Sequence, residues 1–133
     1  MPSLVLDTHS LIWYTTADPR LSTKAKAAIT EAAESGELIY IPPICLVECI
    51  YLAEKGRIPA SGLEAILSAL ASRTSALKLA AFDLQVADAV YRIPREAVPD
   101  LPDRVTAGTA LALRLLLVSR DAKIRISGIE TLW

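Results

Sequence analysis

Four carboxylates stand out by where they fall in the chain. Asp7 closes a short apolar run. Asp121 lies two residues beyond another such run at 115–119, and Asp103 opens the helical stretch that leads into that run. Glu48 is the sole charge in 44–53, a stretch otherwise made of Ile, Cys, Leu, Val, Tyr and Ala. A carboxylate isolated in an apolar helix is costly unless it is paired, protonated or bound to a metal. Four acids at one place repel one another and raise one another's pKa unless a cation neutralises them. A hard, oxygen-preferring ion such as Mg²⁺ or Mn²⁺ suits a shell of carboxylates and water. Such a site activates water and stabilises charge in an in-line displacement at phosphorus, which suits phosphoryl chemistry. Taken singly, Asp7, Asp103 and Asp121 also read as helix N-caps, and Glu48 as one half of a buried ion pair with an arginine.

The elements that must position these residues follow from periodicity and punctuation. Strands are expected over 3–6, 37–41, 77–81, 115–119 and 129–132. Helices are expected over 8–14, 22–34, 44–55, 61–73, 83–91 and 103–113, with a helical turn over 122–126. Residues 93–102 hold three prolines (Pro94, Pro99 and Pro102) and read as a loop. Strands that alternate with helices imply a parallel sheet covered on both faces, a three-layer α/β/α sandwich of about five strands in a single domain over 1–133. In such sheets ligands bind beyond the carboxyl ends of the strands, which is where Asp7 and Asp121 fall and where Glu48 and Asp103 come close.

Composition narrows the class. Of the 133 residues, 53% are apolar and 22% charged, and mean hydropathy is +0.39, so the chain has ample surface to bury and is not disordered. No charge-free run reaches the length of a membrane span, and the N-terminus lacks a secretory signal, which reads as cytoplasmic. The apolar excess implies a large core plus an interface, with 44–53 and the face Leu63, Ile66, Leu67 and Leu70 as the surface a second copy or a partner helix would cover. Net charge is -1, which argues weakly against a nonspecific nucleic-acid binder but leaves room for a local patch. Cys45 and Cys49 lack the further ligands of a zinc set and read as small buried hydrophobes. His9, the sole histidine, reads as packed or capping, and Ser10 has no His–Asp set around it. Arg114, Arg120, Lys123 and Arg125 read as a cluster around Asp121 suited to a phosphate backbone, with Arg104 as a further candidate. A solvated helix face accounts for them equally well.

The segments Leu4-Val5-Leu6-Asp7-Thr8-His9-Ser10-Leu11-Ile12-Trp13, Asp18-Pro19-Arg20-Leu21-Ser22, Leu46-Val47-Glu48, Lys55-Gly56-Arg57-Ile58, Asp100-Leu101-Pro102-Asp103-Arg104 and Leu117-Val118-Ser119-Arg120-Asp121 together resemble a PIN-domain protein, specifically the ribonuclease toxin of VapBC-type toxin–antitoxin pairs. The resemblance spans essentially the whole chain. It implies a PIN fold and a Mg²⁺- or Mn²⁺-dependent endoribonuclease that attacks RNA through water, with no covalent intermediate. It places the family's acids on Asp7, Glu48, Asp103 and Asp121. Asp7 would be a direct ligand, Glu48 would be a ligand or would orient the attacking water, and Asp121 could act through water. Thr8, Ser119 and Asp100 would support them. It also implies a homodimer and a small antitoxin that covers the site. Two positions depart from the branch's usual pattern: Val98 stands where a histidine is common, and Pro102 where an aromatic is usual. A catalytically inactive PIN-like module that works through a protein partner is the main alternative. A haloacid-dehalogenase phosphatase is a weaker one, since it needs a second Asp where His9 stands. A receiver domain lacks its acidic pair and late lysine, and no G-x-G-x-x-G is present for a dinucleotide.

Overall fold

The computed structural model describes residues 3–125 and 128–133. Its elements run β1 (Leu4–Leu6), α1 (Thr8–Thr15), α2 (Thr23–Glu34), β2 (Ile39–Ile41), α3 (Pro43–Glu54), α4 (Ala60–Ala71), β3 (Leu77–Leu79), α5 (Leu84–Arg92), α6 (Leu101–Leu113), β4 (Leu116–Val118), α7 (Ala122–Arg125) and β5 (Thr131–Leu132). The strands form a five-stranded parallel sheet in the order β3-β2-β1-β4-β5. Leu4, Val5 and Leu6 pair with Leu116, Leu117 and Val118, which aligns the ends of β1 and β4.

Side chains alternate across a strand, and the core divides accordingly. Leu4, Leu6 and Val118 pack on one face with Leu11, Ile29, Cys45, Cys49 and Ile66 from α1–α4. Val5 and Leu117 pack on the other with Ala107 and Ala110 of α6, Ile124 of α7, and Ile93 and Val98 of the preceding loop. That gives the three expected layers. It also explains the departure at position 98, where a 1% exposed valine seals the second core.

The chain winds outward from β1 in one direction through β2 and β3, then returns to the other side of β1 as β4. The order therefore reverses between β1 and β4, and a crevice opens there at the carboxyl ends. Helix α6 lies close by. Gly108 lets it approach α5, since a Cβ at that position would sit 2.5 Å from Val90 Cγ2.

One boundary differs from the expectation in a way that matters. Helix α6 begins at Leu101, and its N-cap is Asp100, whose Oδ1 accepts the Asp103 amide at 3.1 Å. Pro102 is tolerated because first-turn amides have no helical acceptor to lose. Asp103 is thus not the opener but a first-turn residue with its carboxylate free of capping. The turn expected over 122–126 is α7, and its last residue, Ile126, lies outside the described residues.

Candidate active site

The crevice between β1 and β4 holds a cavity of about 350 Å³ lined by Asp7, Thr8, His9, Trp13, Glu48, Asp100, Asp103, Arg120 and Asp121. All four acids singled out from the sequence thus line one space, although they come from four separate stretches of chain. Each arrives by its own local logic. Asp7 follows β1 directly and caps α1, its Oδ1 accepting the Ser10 amide at 2.9 Å. Ser10 Oγ in turn donates to Val118 O, tying α1 to the end of β4. Asp121 caps the turn of α7, its Oδ1 accepting the Lys123 amide at 2.8 Å, and the Asp121 amide donates to the buried Ser119 Oγ at 3.0 Å. Both aspartates are therefore caps, as their patterns allow, and each keeps a second oxygen that no backbone amide occupies among the described residues.

Glu48 resolves differently from an ion pair. It sits one turn into α3, where the Thr8 hydroxyl donates to its Oε1 at 2.5 Å. No arginine reaches it among the described residues. Beneath it Cys45 is fully buried, with Sγ 3.2 Å from Thr106 Oγ1. Burial pushes the thiols of Cys45 and Cys49 up to about 12, so both stay protonated and inert, as small hydrophobes should.

Electrostatics single out Asp103. Burial in the cavity wall, then the like charges of Asp100, Asp121 and Glu48, push its carboxyl up to about 7. Among the described residues none of these acids is ion-paired, and Arg120 is the single cation in the lining against five carboxylates, so the donor set fits a hard divalent ion. Among the described residues no three of them already converge on a single ion position. The open, hydrophilic cavity fits an ion that keeps several of its own waters and takes one or two carboxylates directly, which is the habit of Mg²⁺.

The basic residues separate. Arg120 lines the cavity, and Lys123 and Arg125 project from α7 beside it, exposed. Arg114 does not belong with them. It is the left-handed C-cap of α6, φ 56°, and lies about 17 Å along the helix from Asp103 at 1.5 Å per residue. Arg104 donates from Nε and Nη2 to Ile93 O at 3.1 and 2.7 Å, so its guanidinium braces the loop before α6. His9 is exposed at the cavity rim, where its ring packs against that of Trp13 at 5.4 Å rather than in the core. Trp13 went unnoticed in the sequence. Its spacing of four from His9 on one helix places the two on the same face, a signal that was there to be read.

The apolar surface is also redistributed. On α3, Val47 and Tyr51 are 45% and 59% exposed, as an interface would require, but on α4 Ile66 is buried and Leu63 and Leu70 pack against the chain's own core, leaving Leu67 outward. A groove lined by Ile44, Val47, Tyr51, Leu52 and Pro102 runs into the acidic cavity through Thr8, His9 and Glu48. Among the described residues no helix is long and apolar enough to cross a membrane.

Comparisons with known proteins agree with this architecture. The PIN domain family matches residues 4–127. The chain is 28% identical over 125 residues to "Ribonuclease VapC22" of Mycobacterium tuberculosis (strain ATCC 25618 / H37Rv), covering 94% of this chain and 92% of that protein. Its fold is similar to that in the VapBC2 complex of Rickettsia felis bound to a promoter DNA fragment (TM-score 0.74, 17% identity, 98% of this chain and 97% of that one). It is similar as well to a toxin–antitoxin complex from Klebsiella pneumoniae (TM-score 0.71, 21% identity, 98% and 96%) and to DNA-bound VapBC from Salmonella typhimurium (TM-score 0.70, 22% identity, 99% and 98%). With the parallel sheet, the switch-point cavity and the family match over nearly its whole length, the chain belongs to the PIN domain family.

Proposed function

We propose that this protein is a divalent-cation-dependent endoribonuclease, the toxin of a toxin–antitoxin pair, acting in the cytoplasm. The observation that carries the reading is the cavity itself: Asp7, Glu48, Asp103 and Asp121 line one space with Asp103 held near neutrality by burial and by its acidic neighbours. The relative named as a ribonuclease and the structural neighbours described as toxin–antitoxin complexes support the substrate and the partner.

Mg²⁺ or Mn²⁺ held by Asp7, Glu48, Asp103 and Asp121 would neutralise the acids, activate water and stabilise charge at the phosphorus. The chain's own groups set the geometry. Thr8 fixes Glu48, the start of α1 fixes Asp7, and Ser119 fixes the backbone of Asp121. Asp100 holds the first turn of α6 and with it Asp103. No side chain here is a poised nucleophile: Ser10 donates to a carbonyl, and the Cys45 thiol is buried and protonated. In place of the RNA's own 2′-hydroxyl, the proposed attacker of phosphorus is water. Its hydroxyl joins the phosphate, its proton ends on the departing 3′ oxygen, and the products are a 5′-phosphate and a 3′-hydroxyl.

The groove beside Val47 and Tyr51 offers an antitoxin a route to the cavity, and the exposed apolar residues of α3 suit a second copy of the chain. The test is cleavage of total RNA by purified protein with and without Mn²⁺. Wild type should cleave only with the ion, and Asp7→Asn should not cleave. Equal behaviour of the two would favour an inactive binding module.

A further inference from the structure

Two guanidinium groups pack on one buried ring. Trp13 is 4% exposed, and the central carbon of Arg20 lies 5.1 Å from its ring centre, that of Arg120 4.8 Å. The two arginines differ in everything else. Arg20 is bound bidentately to Asp18, Nε to Oδ1 at 3.0 Å and Nη2 to Oδ2 at 2.8 Å, and its amide donates to the same carboxylate. Its charge is matched on the spot, and it does not line the cavity. Arg120 has no ion pair among the described residues, although it lines the cavity with five carboxylates.

The position of Arg120 is fixed from both sides. The Ser119 amide before it donates to Leu132 O at 3.1 Å, and the Asp121 amide after it donates to Ser119 Oγ. Trp13, itself in edge contact with Trp133 at 5.8 Å, supplies the surface on which the guanidinium rests. A ring below and pinned backbone on either side hold the side chain at the rim, so its fork of N–H donors remains for something else. A planar, always-charged fork matches the two non-bridging oxygens of a phosphodiester.

We propose that Arg120 is a substrate-positioning residue that takes a phosphate of the RNA strand at the mouth of the acidic cavity, with Trp13 as its support. The inference rests on the ribonuclease reading and deepens it. It separates Arg120 from the other basic residues: Arg104 is engaged with Ile93 O, Arg114 lies at the far end of α6, and Lys123 and Arg125 of α7 do not line the cavity. A cation within the lining also answers a physical need, since a polyanion must approach a cavity lined by acids.

The experiment compares wild type, Arg120→Ala, Arg120→Lys and Arg20→Ala, using a fluorescein-labelled 20-nucleotide single-stranded RNA. Binding is followed by anisotropy in Ca²⁺ from 25 to 200 mM KCl, and cleavage is followed in Mn²⁺. Arg120→Ala should raise KM about tenfold with kcat within about threefold, and should flatten the slope of log affinity against log salt by about 0.7, the loss of one phosphate contact. Arg120→Lys should recover the salt slope but only part of the affinity, since it keeps the charge and loses the fork and the stacking. Arg20→Ala should match wild type in both assays. The proposal is overturned if Arg120→Ala keeps the wild-type KM and slope, or if Arg20→Ala reproduces its defect, which would make packing on Trp13 the cause. Wild type that neither binds nor cleaves RNA would instead sink the ribonuclease reading, a result distinct from wild type cleaving with Arg120→Ala indistinguishable from it.

Discussion

Two acidic corners adjoin Trp13, and they are built in opposite ways. In one, Asp18 meets the Arg20 guanidinium through two hydrogen bonds and a backbone amide, and its carboxyl falls to about 2. In the other, Asp103 meets Asp100, Asp121 and Glu48 across a cavity, and its carboxyl rises to about 7. The first corner is complete and holds the turn between α1 and α2. The second is incomplete as protein alone, because the chain brings five carboxylates together with one arginine and, among the described residues, no ion pair. An arrangement that costs stability persists when something outside the fold repays it, and the proposed function supplies a cation and a phosphate for that.

The largest effect should come from removing one acid of each corner. Asp7→Asn takes a carboxylate from the cavity while sparing the α1 cap geometry, and should lower Mn²⁺-dependent RNA cleavage about 100-fold or more, since metal sites contribute several kcal/mol to the transition state. Asp18→Asn, in the matched corner, should leave cleavage within about twofold. Comparable losses in a cleavage assay would dissolve the contrast.

The two corners should also respond to pH with opposite signs. The carboxyl of Asp103 is raised above its unfolded value of 3.8, so its contribution is fully present below about pH 4 and is lost as pH rises through about 7. Thermal melts of the metal-free protein should therefore fall in midpoint across that window, and Asp103→Asn should remove that part of the slope. The carboxyl of Asp18 is depressed, so its contribution is present above about pH 4 and is lost as pH drops toward 2. A metal-free Asp103→Asn variant with an unchanged pH profile would contradict the description of the cavity.

Helix caps give a finer version. Asp83 caps α5 outside the site, accepting the Val86 amide at 3.2 Å, and Asp83→Ala should cost about 1 kcal/mol, or about 3–5 °C in melting temperature for a chain this size. Asp100→Ala loses a similar cap but also relieves a like charge on Asp103. At pH 7 without metal it should cost less than Asp83→Ala, and with Mg²⁺ the gap should narrow. The smallest effect concerns the cysteines: iodoacetamide at pH 8 should leave Cys45 and Cys49 unmodified in the folded protein, because burial pushes both thiols to about 12.

Much of this was legible in the sequence because it is local. Asp7 after an apolar run, Ser22 before α2 and Gly36 after it mark boundaries through backbone chemistry that neighbours in the chain decide. The isolated glutamate of α3 announced a site because burial of a lone charge has few explanations. What failed was distance and depth. Arg114 is seven residues from Asp121 in sequence, yet sits at the opposite end of α6, because a helix feeding a strand carries its end away from the carboxyl edge. Pro102 read as loop because proline usually ends a pattern, whereas here it occupies the one turn that tolerates it. The pairing of Trp13 with Arg120 joins residues from opposite ends of the chain, and only the alignment of β1 with β4 brings them together.

The proposed function requires the incomplete corner to take a divalent cation. Electron paramagnetic resonance of free Mn²⁺, titrated with metal-free protein at pH 7, tests it directly. The free-ion signal should be lost with wild type and Asp18→Asn alike, and binding should weaken by tenfold or more in Asp7→Asn, on the order expected when a carboxylate leaves a metal's surroundings. Wild type that leaves millimolar Mn²⁺ free, or Asp7→Asn that binds as wild type does, would contradict it.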